Sequence, residues 1–148
     1  MAHRKQGVSP ELDELSSTLV GDALDLLAEG EDVNVLLVVQ DEMGATASYE
    51  FADDSTDMLI EAAYDRVKQL SNQHGDSVAG IGEPIRYALV YEGMIADDDG
   101  VYLDALMLEF GERGWNAYSA YSMYEGKGTG DGFGWTDPAP AGEIEPLL

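Results

Sequence analysis

"IRYALVYEGMIADDDGVYLDALMLEFGERGWNAYSAYSMY", residues 85–124, decides the fold. Three runs rich in Val, Leu, Met and Tyr are separated by two turn-forming clusters, "ADDDG" and "GERG". Apolar and aromatic runs bounded by Asp-Gly or Gly-rich punctuation are strands joined by tight turns. The stretch therefore predicts a three-stranded antiparallel meander. Its strands are apolar or aromatic on both faces. Val101, Leu103, Ala105 and Met107 alternate with Tyr102, Leu106, Leu108 and Phe110; Trp115, Ala117, Tyr121 and Met123 stand against Tyr118, Ala120 and Tyr124.

Upstream, "VNVLLVVQ" (residues 33–40) is nearly continuous aliphatic, the pattern of a central strand buried on both faces. "ATASYEF" (45–51) alternates, with Ala45, Ala47, Tyr49 and Phe51 on one side, and predicts a half-wet edge strand. "VSPELDELSSTLVGDALDLLAEG" predicts a helix capped by Ser9, opened by Pro10 and stopped at Gly30, with Leu12, Leu15, Leu19, Ala23 and Leu26 at helical spacing. A second helix follows Asp54–Ser55, with Leu59, Ala63, Val67 and Leu70 inward and Gly75 as its stop.

The order is helix, hairpin, helix, meander. It predicts an α+β domain with a five-stranded, mainly antiparallel sheet in the order 2-1-5-4-3, numbered along the chain. This element order, αββαβββ, resembles that of roadblock-like domains in the broader profilin-like class. The resemblance covers order alone and brings no function with it. The predicted organisation is a flexible N-terminus (1–8), one α+β domain (9–125) and a Gly/Pro-rich C-terminal strap (126–148).

With both helices expected on one face, the sheet is under-covered. A helix with side chains is ~10–12 Å wide, whereas five strands at ~4.8 Å span more than ~20 Å. The bare face calls for a second copy, another protein or the strap. Tyr and Trp are favoured at interface centres. Trp115, Tyr118, Tyr121, Tyr124, Phe133 and Trp135 are thus the candidate binding residues.

Thirty acids face seven bases, a formal charge of −23, and no base lies between Lys5 and Arg66. Direct nucleic-acid binding, which needs clustered Lys and Arg, is excluded. Three readings of the acidity stand: solubility by self-repulsion, adaptation to a salty cytoplasm, and steering toward a basic partner, including mimicry of a nucleic-acid backbone. Cysteine is absent, so disulfides, thiolate zinc sites and cysteine nucleophiles are excluded. No apolar run approaches the ~20 residues of a membrane helix. The basic start lacks the apolar stretch of a signal peptide. A cytoplasmic protein without membrane contact is expected.

"YEGKGTGDGFGWTDPAP" (124–140) holds five alternate glycines and one lysine. Neither the dinucleotide fingerprint nor the P-loop spacing is met, and no helix follows to present its N–H groups to an anion. The stretch is read as a strap anchored by Phe133 and Trp135. "ADDDG" lacks the first and twelfth carboxylates of a calcium loop and is read as a hairpin turn. His3 and His74 are isolated, so no metal and no cofactor are expected. Asp104, in line with Tyr102, Leu106 and Leu108, is the one candidate general acid or base, should that face bury it.

The leading expectation is a non-catalytic protein-interaction module, self-associating as a homodimer through its aromatic sheet face. The alternatives are a small hydrolase or isomerase using Asp104, and an acidic decoy that occupies a basic groove.

Overall fold

The computed structural model describes residues 4–148. His3 lies outside the described residues. Helix α1 spans Pro10–Ala28, strands β1 and β2 span Val35–Asp41 and Thr46–Phe51, and helix α2 spans Thr56–Asn72. The meander is β3 (Pro84–Ala96), β4 (Tyr102–Glu112) and β5 (Ala117–Glu125). Two further strands, β6 (Gly134–Trp135) and β7 (Ala139–Ile144), come after a short 3-10 turn.

The helix ends form as their residues dictate. The Ser9 hydroxyl accepts the Leu12 N–H at 3.1 Å, and Ser55 accepts that of Met58 at 3.4 Å, each satisfying a donor that a helix start leaves free. Gly75 closes α2 at φ 110°, donating its N–H to the Leu70 carbonyl.

The sheet runs β2-β1-β3-β4-β5-β6, with β7 also pairing β5, so it has seven strands rather than five. The two extra ones come from the stretch expected to be a strap. Glycines and prolines at 134, 138, 140 and 142 hide its alternation, and a register shift at Ser119/Ala120 accommodates Pro140, which has no N–H.

The order 2-1-5-4-3 is also corrected: β1 pairs β3, through Leu37↔Leu89 and Val38↔Ala88. The expected order would put β3 at the far edge of the sheet, whereas its unbroken apolar run is buried on both faces, Ala88 and Val90 against α1 and Tyr87 and Leu89 against α2, as a central strand's must be.

The placement of the helices is a third correction: they lie on opposite faces of the sheet, not on one. Val20, Ala23, Leu24 and Leu27 of α1 pack with Val38, Ala88, Val90, Leu106 and Leu108. Leu59, Ala63, Val67 and Leu70 of α2 pack with Val35, Leu37, Val39, Tyr87 and Leu89. Neighbouring residues of a strand point to opposite faces, and these two sets alternate along β1 and β3. Helix α2 covers β2, β1 and β3; α1 covers β3 and β4. Leu147 and Leu148 extend the cover beside α2. Among the described residues no helix is long and apolar enough to cross a membrane.

Candidate binding groove

Because α1 sits over β3 and β4, the same face is left open over β5 and β7. The side of α1 that looks that way presents Asp13, Ser16, Ser17, Val20, Gly21 and Leu24, mostly small residues about one turn apart. They leave a groove of about 800 Å³. Its floor is Leu108, Phe110, Tyr118 and Ala120, and its far wall is Trp135, Pro138, Pro140 and Glu143. Gly7 and Val8 line the end near Tyr118, whose hydroxyl accepts the Gly7 N–H at 2.8 Å.

Space on the α1 side has its origin in the sequence. A Cβ built on Gly21 would meet nothing within 4 Å. A glycine in a helix interior lowers stability by ~0.5–1 kcal/mol relative to alanine, so no packing need accounts for it. Helix α1 holds five acids and no base, and among the described residues the groove lining includes Asp13 and Glu143 but no Lys, Arg or His.

The aromatic wall is built by the glycine stretch. Phe133 is buried between Tyr124 and Trp135, with ring centroids 5.8 Å from each. Trp135 ends the ladder 56% exposed. The lysine among the glycines holds this segment down. Lys127 Nζ pairs with Asp32 at 2.7 Å and Glu92 at 3.0 Å, and the Gly128 N–H caps the Leu27 carbonyl of α1 at 3.0 Å. Gly30 and Gly128 touch here: a Cβ on Gly30 would lie 3.2 Å from the Gly128 Cα, and both have positive φ. Hydrogen bonding to Asp32 raises the Lys127 pKa above its ordinary value, and Lys127 lowers that of Asp32. Its ammonium is thus engaged by carboxylates.

The expected aromatic residues do not share one face. Tyr118 and Trp135 line the groove; Tyr124, on the same face of β5 as Tyr118, and Phe133 are buried in the core packed with α1. The Tyr124 hydroxyl donates to Glu92 at 2.9 Å, and burial followed by that carboxylate raises its pKa. Tyr121 pairs with Met107 on the opposite face, and Trp115 lies under the Lys5 ammonium, 5.3 Å from the ring centroid.

Asp104 is exposed near the hairpin end, opposite Met94. The buried acid of β4 is Glu109, which sequence reasoning passed over. It accepts the hydroxyls of Tyr64 at 2.5 Å and Tyr91 at 2.8 Å. Burial first, and then this carboxylate, raise both tyrosine pKa values. An acid amid the apolar run "LMLEF" was the available signal.

A second cavity of about 600 Å³ flanks α1 on its other side. Glu11, Glu14, Asp22 and Glu42 line it with Arg86, whose guanidinium is engaged by Glu112 and Gln40. The "ADDDG" acids form a turn, in which Asp97 Oδ1 accepts the N–H groups of Asp99 and Val101 at 2.9 Å. Among the described residues no group of three or more Asp, Glu or His is placed to hold a metal ion. His74 instead meets Glu83 at 3.3 Å. Comparison with protein-family models, curated proteins and solved structures gave no match.

Proposed function

We propose that the protein is a non-catalytic interaction module and that the groove beside α1 is its binding surface. The observation that carries this reading is an apolar floor in which Phe110 and Tyr118 are partly exposed beside buried Leu108 and Ala120, ended by a Trp135 that stays half-exposed. A cleft of ~300–1,000 Å³ with apolar walls and few polar groups is the usual form of a binding site. Two of its polar side chains are held within the fold: Ser16 donates to the Asp13 carbonyl, and the Tyr118 hydroxyl accepts from Gly7. That favours holding a partner over transforming one. Photo-crosslinking in the native cell tests the reading. Benzoylphenylalanine at position 135 is expected to give discrete protein adducts, and the same residue at Glu61, on exposed α2, is not. Equal labelling at both positions, or none at 135, refutes it.

Self-association is a second reading, favoured by the end of the β3–β4 hairpin. Pairing with β1 stops at Tyr91 and pairing with β5 stops at Ala105, so the last residues stand as two strands alone. There Met94, Val101, Tyr102 and Leu103 are exposed, Tyr102 by 68%. A homodimer through this arm must overcome like-charge repulsion, and salt would strengthen it. Light scattering that finds a monomer at both low and high salt removes this reading.

A further inference from the structure

We infer that the groove takes a short, extended segment of a partner protein in which apolar residues alternate with Lys or Arg; this rests on the interaction-module reading. Three observations fix the chemistry of the guest. The first is size. From Asp13 to Leu24 the α1 wall runs roughly 16 Å at ~1.5 Å per residue, room for about five residues of extended chain at ~3.3 Å each. The groove is open to solvent along one side, so a guest lies in it with one face outward.

The second is the wall opposite α1. Pro138 and Pro140 offer no N–H there, so a guest cannot form a continuous main-chain ladder and is gripped by its side chains. Alternate residues of an extended chain point the same way. One set enters over Phe110, Tyr118 and Trp135, and the other faces the rim. The third is charge. Among the described residues, Asp13 and Glu143 are the charged groups that line the groove, with no basic residue beside them. An outward-facing Lys or Arg meets this field. An acidic residue is repelled, and a neutral polar one gains nothing from the floor.

The test uses the full chain with Trp115→Phe, which leaves Trp135 as the sole fluorescent reporter. The probes are three acetylated pentapeptides: alternating Leu and Lys, alternating Leu and Glu, and alternating Ser and Lys. The Leu/Lys peptide is expected to bind at least tenfold more tightly than either of the others and to weaken as salt is raised. Gly21→Leu, which fills the groove, and Ser17→Arg, which adds a cation to its wall at an exposed position, are each expected to weaken it at least tenfold. Circular dichroism confirms that each variant is folded; Ser17→Arg keeps the test open should Gly21→Leu not fold. Leu/Glu or Ser/Lys binding as tightly as Leu/Lys overturns the inference. So does undiminished binding to folded Gly21→Leu or Ser17→Arg, or no binding of Leu/Lys at millimolar concentration. If the peptides fail while position 135 still crosslinks to protein in the cell, the guest chemistry is wrong and the interaction module stands.

Discussion

Replacing Gly21 with alanine should make the protein more stable, an unusual result for a residue lining a site. Gly21 lies inside α1 with ordinary helical geometry, and an added methyl meets nothing within 4 Å. The gain is therefore the helix propensity difference, ~0.5–1 kcal/mol, arising chiefly from the smaller entropy of the unfolded chain. For a chain near this size 1 kcal/mol moves the midpoint of thermal unfolding by about 2–4 °C, so a rise of about 2–3 °C is expected, monitored by circular dichroism at 222 nm. Gly30→Ala is the matched control with the opposite sign. Gly30 has φ 87°, and its added methyl would crowd the Gly128 Cα at 3.2 Å. That change should cost about 1 kcal/mol or more. A fall in stability for Gly21→Ala would mean that something occupies the space beside α1, and the open groove would be refuted.

Lys127→Met should release the glycine segment from Asp32 and Glu92 with little loss of global stability, since the pair is largely solvated, and with a clear loss of amide protection across residues 126–135 in hydrogen exchange. The pH dependence has a definite sign. The Asp32 pKa is lowered, so its part is present above the ordinary aspartate value and is lost as pH falls through the lowered one. The Lys127 pKa is raised, so its part is complete below about pH 10.4 and is lost as pH rises through the raised value. At the alkaline end, Tyr64, Tyr91 and Tyr124 are pushed upward and Tyr87 reaches about 12, burial being the largest cause in each. The unfolded chain ionises these phenols from about pH 10, so stability should fall steadily above that pH. A spectrophotometric titration should find that at least these four of the eight tyrosines ionise late or only on unfolding. Complete ionisation of the folded chain by pH 11 would contradict the burial described.

The elements with one clear signal were legible. Ser9 and Ser55 marked the helix starts, Gly75 a helix end, and the alternation through Ala47, Tyr49 and Phe51 an edge strand. What was hidden was which face each helix takes. Residues 35–39 are aliphatic at every position, so nothing in β1 says which face meets α1 and which meets α2. The expectation of a bare sheet face assumed both helices on one side, and the structure puts one on each. The helices are offset as well as opposed, and the exposed ground is a groove rather than a whole face. Residues 134–144 were illegible as strands because glycine and proline mask alternation, and their pairing depends on β5 rather than on their own propensity. Phe133 is buried as an aromatic anchor in a glycine tract is expected to be, whereas Trp135, expected to anchor beside it, is 56% exposed. Glu109 was passed over for Asp104, since strand pattern alone does not say which end of a hairpin is buried.

The most direct test of the claim that partners enter beside α1 is hydrogen exchange on the intact chain, alone and with the protein captured by crosslinking from position 135. Slowed exchange concentrated in residues 13–24 and 135–143 is the expected result. Protection confined to α2, or to the outer edge of β2, with the groove segments unchanged, would contradict it.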